Sequence, residues 1–94
     1  MNKKRLRYFL YKKPQGLWEL REYKNGSLLE NGIALNKTAT LIYKLCNGKE
    51  TVNEIINIIW KKYMVDKRKV RNDVVNCIQE LLNNGAIKLK CNRN

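Results

Sequence analysis

The chain has 94 residues, which suits a single compact domain over 1–94 and is too short for two. Twenty Lys and Arg stand against eight Asp and Glu, a formal charge of +12, and there is no histidine. The missing histidine removes the commonest general base and metal ligand. The charge points to acidic peptides, polyanions or anionic surfaces, or else to a plain compositional bias toward Lys, Asn and Ile.

Cys46, Cys77 and Cys91 lack metal-ligand spacing. The first two fall on apolar helix faces and read as small hydrophobes, and Cys91, near the terminus, reads as a free thiol. Glu19, Glu22, Glu30, Glu50, Glu54, Asp66, Asp73 and Glu80 form no short acid pair at helical spacing. No Gly-rich phosphate loop is present. The expectation is therefore a protein with no catalytic residue, no metal and no cofactor. No apolar run reaches the roughly 20 residues of a bilayer span. The run from Tyr8 to Tyr11 behind the basic N-terminus is too short for a secretory signal. These features suggest a cytoplasmic protein with no membrane partner.

In chain order, residues 7–12 alternate poorly and are expected to form either a further strand or a loose arm within 1–13, ahead of a Pro14-Gln15-Gly16 turn. Leu17 to Tyr23 is rich in aromatic and aliphatic residues and predicts a first strand. Asn25-Gly26 predicts a tight hairpin, because both residues tolerate positive φ. Ser27 to Glu30 returns as a second strand. Asn31-Gly32 turns again, and Ile33 to Leu35 is a third strand. Asn36 then offers a side-chain oxygen to a helix over Lys37 to Cys46, with Gly48 past its end. That helix is apolar nearly all round and predicted to be buried.

Thr51 with Glu54 makes a capping box for a second helix, whose stripe is Val52, Ile55, Ile56, Ile59 and Tyr63. Asp66 caps a third helix over about 67 to 84, closed by Gly85, and Ala86 to Leu89 leaves as a short extended piece. The fold class is α+β: a small three-stranded antiparallel sheet followed by three helices.

Several passages together resemble the PqqD family, small proteins named for pyrroloquinoline-quinone biosynthesis. Pro14 with Leu17-Trp18-Glu19-Leu20-Arg21-Glu22 is similar to the family's opening strand, and Leu35-Asn36-x-Thr38-Ala39 to its strand-to-helix junction. Cys46-Asn47-Gly48-x-x-Thr51-Val52-x-x-Ile55 is similar to the linker into its second helix. Asp73-Val74-x-x-Cys77-Ile78-x-x-Leu81 with Gly85-Ala86-Ile87 is similar to its third helix and exit. Two departures bear on a binding pocket. The connection between the second and third strands is shorter than usual, and Cys77 stands where the family often has a bulkier residue.

The resemblance implies a winged helix-turn-helix-like recognition element that is not an enzyme. Such an element holds the leader of a ribosomally made precursor peptide by strand addition and presents the rest to a modifying enzyme. The partners implied are that leader and a radical-SAM maturase or a lasso-peptide protease and cyclase. The leader-binding residues expected are Gly32, Ile33, Ala34 and Leu35 on the third strand, with Lys67, Arg68, Arg71, Val75, Ile78 and Leu82 on the third helix.

The residues support this in part. Val70, Val74, Cys77 and Leu81 make a core stripe at helical spacing, and Val75, Ile78 and Leu82 widen it sideways. The widened arc reads as a groove wall, or alternatively as packing against the first helix, the N-terminal arm or a second copy. Lys67, Arg68, Lys69 and Arg71 crowd a helix start, where the dipole prefers acids. They read as a means of attracting an acidic leader, or as a solvated Lys-rich surface. The rival function is a winged-helix DNA-binding protein. The basic cluster favours it, and the scarcity of base-reading residues beyond Arg68, Arg71 and Asn72 opposes it.

Overall fold

The longer helices begin where the sequence supplies an acceptor for the free amides of a first turn. A computed structural model describes residues 3–90, with side chains from Arg5 onward; the thiol at Cys91 lies outside the described residues. Helix α2 (Lys37–Leu45) is capped by Asn36, whose Oδ1 accepts from the Ala39 amide at 2.8 Å. Helix α3 (Val52–Tyr63) carries the full capping box. The Glu54 amide donates to Thr51 Oγ1 at 3.1 Å, and the Thr51 amide donates to Glu54 Oε1 at 2.8 Å. Helix α4 (Lys67–Asn83) starts on Asp66, which accepts from the Arg68 amide at 3.1 Å. Gly85 follows it at φ +74, as a left-handed helix stop requires.

The N-terminal segment is neither a strand nor a loose arm. It is helix α1 (Lys3–Leu10). Leu6, Phe9 and Leu10 recur at helical spacing, and Phe9 is buried in the core with Leu6 and Leu10 packed against it. A test for alternation passes over such a stripe because its period is 3.6 and not 2. The expected Pro14-Gln15-Gly16 turn is likewise a strand, β1 (Lys13–Gly16), paired antiparallel with β5 (Ile87–Lys90). Pro14 is tolerated because its missing donor is not needed. Its carbonyl accepts from Gly48, on the side away from β5.

The main sheet has the order β2-β3-β4, with β2 at Leu20–Tyr23, β3 at Gly26–Leu29 and β4 at Ala34–Asn36. The first predicted strand is shortened at its start. Trp18 is held by Tyr43 instead: its amide donates to the Tyr43 hydroxyl at 2.9 Å, and that hydroxyl donates to the Trp18 carbonyl at 2.6 Å. The Trp18 indole reaches the Gly85 carbonyl at 2.9 Å, tying this stretch to the end of α4.

The first hairpin loop is Lys24-Asn25, one residue earlier than expected, since Tyr23 pairs with Gly26. Gly26 therefore serves another purpose. A Cβ there would collide with the Leu35 carbonyl oxygen, so only glycine lets β4 pass this close. The second loop spans Glu30-Asn31-Gly32 and ends with Gly32 at φ +95, the left-handed position of a three-residue hairpin.

Leu29, Ile42, Ile55, Ile56, Val74 and Ile78 form the centre of the core. One buried polar contact sits within it, Ser27 Oγ to Thr40 Oγ1 at 2.7 Å, which satisfies both hydroxyls. No helix among the described residues is long and apolar enough to cross a membrane.

Candidate functional site

Strand β4 lies at the edge of its sheet, with β3 on one side only. The Leu29 amide donates to the Ile33 carbonyl at 2.8 Å, and the register pairs Ser27 with Leu35 and Leu28 with Ala34. Hydrogen-bonded and non-bonded pairs alternate in an antiparallel ladder. Leu35 therefore exchanges bonds with Ser27, while the amide groups of Ala34 and Asn36 face away from β3. The Asn36 carbonyl opens α2. The Ala34 amide and carbonyl and the Asn36 amide are left along an open edge, which is a template for another strand.

A groove of about 290 Å³ begins at Asn36, the end of this edge, and runs between α2 and α4. Asn36, Thr38, Ala39 and Ile42 form one wall, and Asp73, Asn76, Cys77 and Glu80 of α4 form the other. A second pocket, of about 240 Å³, shares Thr38, Ile42 and Asp73 and continues the groove. Its remaining lining is apolar or aromatic: Ile59, Tyr63, Val65, Val70 and Val74. The α3–α4 turn carries Tyr63 and Val65 half-exposed, and Met64 between them takes φ 55, unusual for a side-chain-bearing residue.

Burial, and then the nearby Glu80 carboxylate, push the Cys77 thiol up to about 11. Burial, and then Cys77, push Cys46 up to about 12. Both remain thiols at neutral pH, so neither is poised as a nucleophile. Cys46 Sγ donates to the Ile42 carbonyl at 3.2 Å.

The expected site residues divide. Ala34 presents open amide groups, Ile33 is half-buried beside it, and Leu35 turns its side chain into the core. Gly32 is exposed in the hairpin loop and contacts a different hollow, with Glu19, Leu20 and Arg21. On α4 the predicted wall faces elsewhere. Ile78 is fully buried, Val75 is buried, and Leu82 is packed against the core. The widened arc is thus packing surface, and the groove lies on the opposite flank of the helix.

The basic cluster follows the same division. Lys67 sits over the Trp60 ring of α3 at 5.2 Å, and Arg71, at i+4, shares that side, while Arg68, about 100° further round the helix, is on neither that side nor the groove flank. Only Lys69 turns toward the groove flank, 3.9 Å from Asp73 Oδ2. The residues missed from sequence are Asp73, Asn76, Cys77 and Glu80, which fall at i, i+3, i+4 and i+7. Such a mostly polar stripe looks like a solvated helix face, and the small Cys77 within it was the one available signal.

The family described as coenzyme PQQ synthesis protein D (PqqD) matches residues 27–87. The chain belongs to the PqqD family. The match runs from β3 to the start of β5, so the family's span contains the open edge and the whole of α4 and leaves out α1, β1 and β2. A PqqA binding protein of Methylococcus capsulatus (strain Bath) is 33% identical over 72 residues, covering 76% of this chain and 75% of the relative. No solved structure matches at a significant level.

Proposed function

We propose that this PqqD-family chain is a non-catalytic binding protein for the leader of a ribosomal precursor peptide. The leader adds as an extended strand to β4 and lies in the groove against α4, which leaves the remainder of the precursor free for a modifying enzyme. The observation that carries this reading is the open row of Ala34 and Asn36 backbone groups, with a groove against α4 that begins at its Asn36 end. Strand addition draws affinity from main-chain bonds and specificity from neighbouring pockets, and both are at hand. A relative named for binding PqqA supports a peptide as the ligand.

Calorimetry or fluorescence polarisation with the leader of a neighbouring precursor, and a scrambled control, tests the reading. The leader is expected to bind and the scrambled peptide to bind far more weakly. Equal affinity for both would refute it. The nucleic-acid alternative rests on exposed Arg68 and Arg71 at the start of α4, away from the groove. It requires a steep fall of log affinity with log salt, with slope near −0.9 per phosphate neutralised. A strand held by backbone bonds and apolar pockets gives a shallow one.

A further inference from the structure

The charges of α4 are segregated. Lys67 and Arg71 lie on the α3 side and Arg68 off the groove flank, whereas both of the helix's acids, Asp73 and Glu80, line the groove. In a chain with 20 Lys and Arg, no Lys or Arg among the described residues lines either part of the groove. Lys69 stands at its margin, but its contact with Asp73 is long, at 3.9 Å, and both side chains are mostly exposed. An incoming cation can replace so loose a pair. Past Asp73 the groove turns apolar between Tyr63, Val65 and Val70.

We propose that the peptide held here is basic where it meets α4: an extended segment with Lys or Arg opposite Asp73 and Glu80, and a large apolar side chain in the Tyr63–Val65 end. This rests on the peptide-binding reading above and replaces the acidic leader expected from the net charge. The net charge of +12 acts at long range, and it is largely screened beyond about 8 Å at physiological ionic strength. Contacts within the groove are decided by the groups that line it. Opposite charges there select partners by rejecting the wrong sign as much as by attracting the right one. Asp73 and Glu80 are seven positions apart, about 10 Å along the helix. That is about three residues of an extended strand, so one short segment spans both.

The test uses the full chain and a random linear peptide library displayed on phage. The wild type is expected to enrich peptides that pair Lys or Arg with a large apolar residue. Synthetic peptides from that pool should lose about tenfold or more in affinity for an Asp73→Lys/Glu80→Lys double variant. The same variant should enrich acidic peptides. Both positions are exposed, so the fold should persist, which circular dichroism checks. Asp73→Asn/Glu80→Gln, nearly isosteric, should give a smaller loss of the same sign. Enrichment of acidic or uncharged peptides by the wild type, or equal affinity of the double variant for the basic ones, would overturn the charge assignment and leave the peptide-binding reading standing. Failure of the wild type to enrich any peptide would overturn both.

Discussion

The two flanks of α4 are built from one continuous sequence, yet they obey opposite rules. On one flank Val75, Ile78 and Leu81 are buried, and their identity is set by packing. On the other, Asp73, Asn76 and Glu80 are exposed around a half-buried Cys77, and none of the three fills the core. On the proposed reading, the contrast marks where packing ends and binding begins. A side chain that fills the core is replaceable only by its like. A polar residue that lines a groove near an open strand edge is free to be chosen for a ligand.

The largest effect should come from the buried flank. Ile78→Ala removes a fully buried side chain and should cost about 2–5 kcal/mol of stability in denaturant titrations. The folded fraction should still bind the leader peptide. If this variant keeps its stability but loses the leader, the buried flank is the binding wall and the two flanks have been assigned the wrong way round.

The exposed flank should behave in reverse. Asn76→Trp puts a large ring into the groove from an exposed position. Its stability should change by no more than about 0.5 kcal/mol, as is usual for surface sites. Affinity for the leader should fall about tenfold or more by polarisation, since the ring occupies the peptide's place. Unchanged affinity would move the peptide off this flank.

A substitution remote from both flanks calibrates the comparison. Thr51→Ala removes the acceptor at the start of α3 and should cost about 1 kcal/mol while leaving leader affinity unaltered. The same cap predicts a weak pH dependence. The Thr51 backbone bond, reinforced by the Thr51 side chain, lowers the Glu54 pKa in the folded protein. A carboxylate whose folded value lies below its unfolded value adds stability above the unfolded value, and loses it as pH falls through the folded one. Melts of the wild type should therefore lose slightly more stability on acidification through that window than melts of Glu54→Gln. Identical slopes would dissociate the cap from any electrostatic contribution.

Much of this organisation was legible in sequence, because it rests on local signals. Asn36, Thr51 and Asp66 cap helices by short-range hydrogen bonds, and each was readable as such. The meander was readable from its turn residues, although the Asn25-Gly26 pair misplaced the loop. Gly26 answers to a close approach by Leu35, a neighbour nine positions away. Apart from α1, whose local stripe has the period of a helix and not of a strand, what escaped depends on non-local pairing. The β1–β5 ladder joins Lys13 to Lys90, and the shortening of β2 depends on Tyr43 capturing Trp18. The candidate site escaped for a similar reason. A helical wheel shows that α4 has a wide apolar arc and a polar stripe, but only the packed fold shows which of the two faces α2 and the Asn36 end of β4 across a groove.

The central claim is that a peptide lies between the open edge of β4 and the Asp73–Glu80 flank of α4. Amide nuclear magnetic resonance, with leader peptide titrated into the labelled full chain, tests it most directly. The account predicts shifts concentrated at Ala34, Asn36, Asn76, Cys77 and Glu80, with the Ala34 and Asn36 amides newly protected from solvent exchange. Shifts confined to Lys67, Arg68, Val75 and Leu82, with the Ala34 amide still exchanging freely, would contradict it.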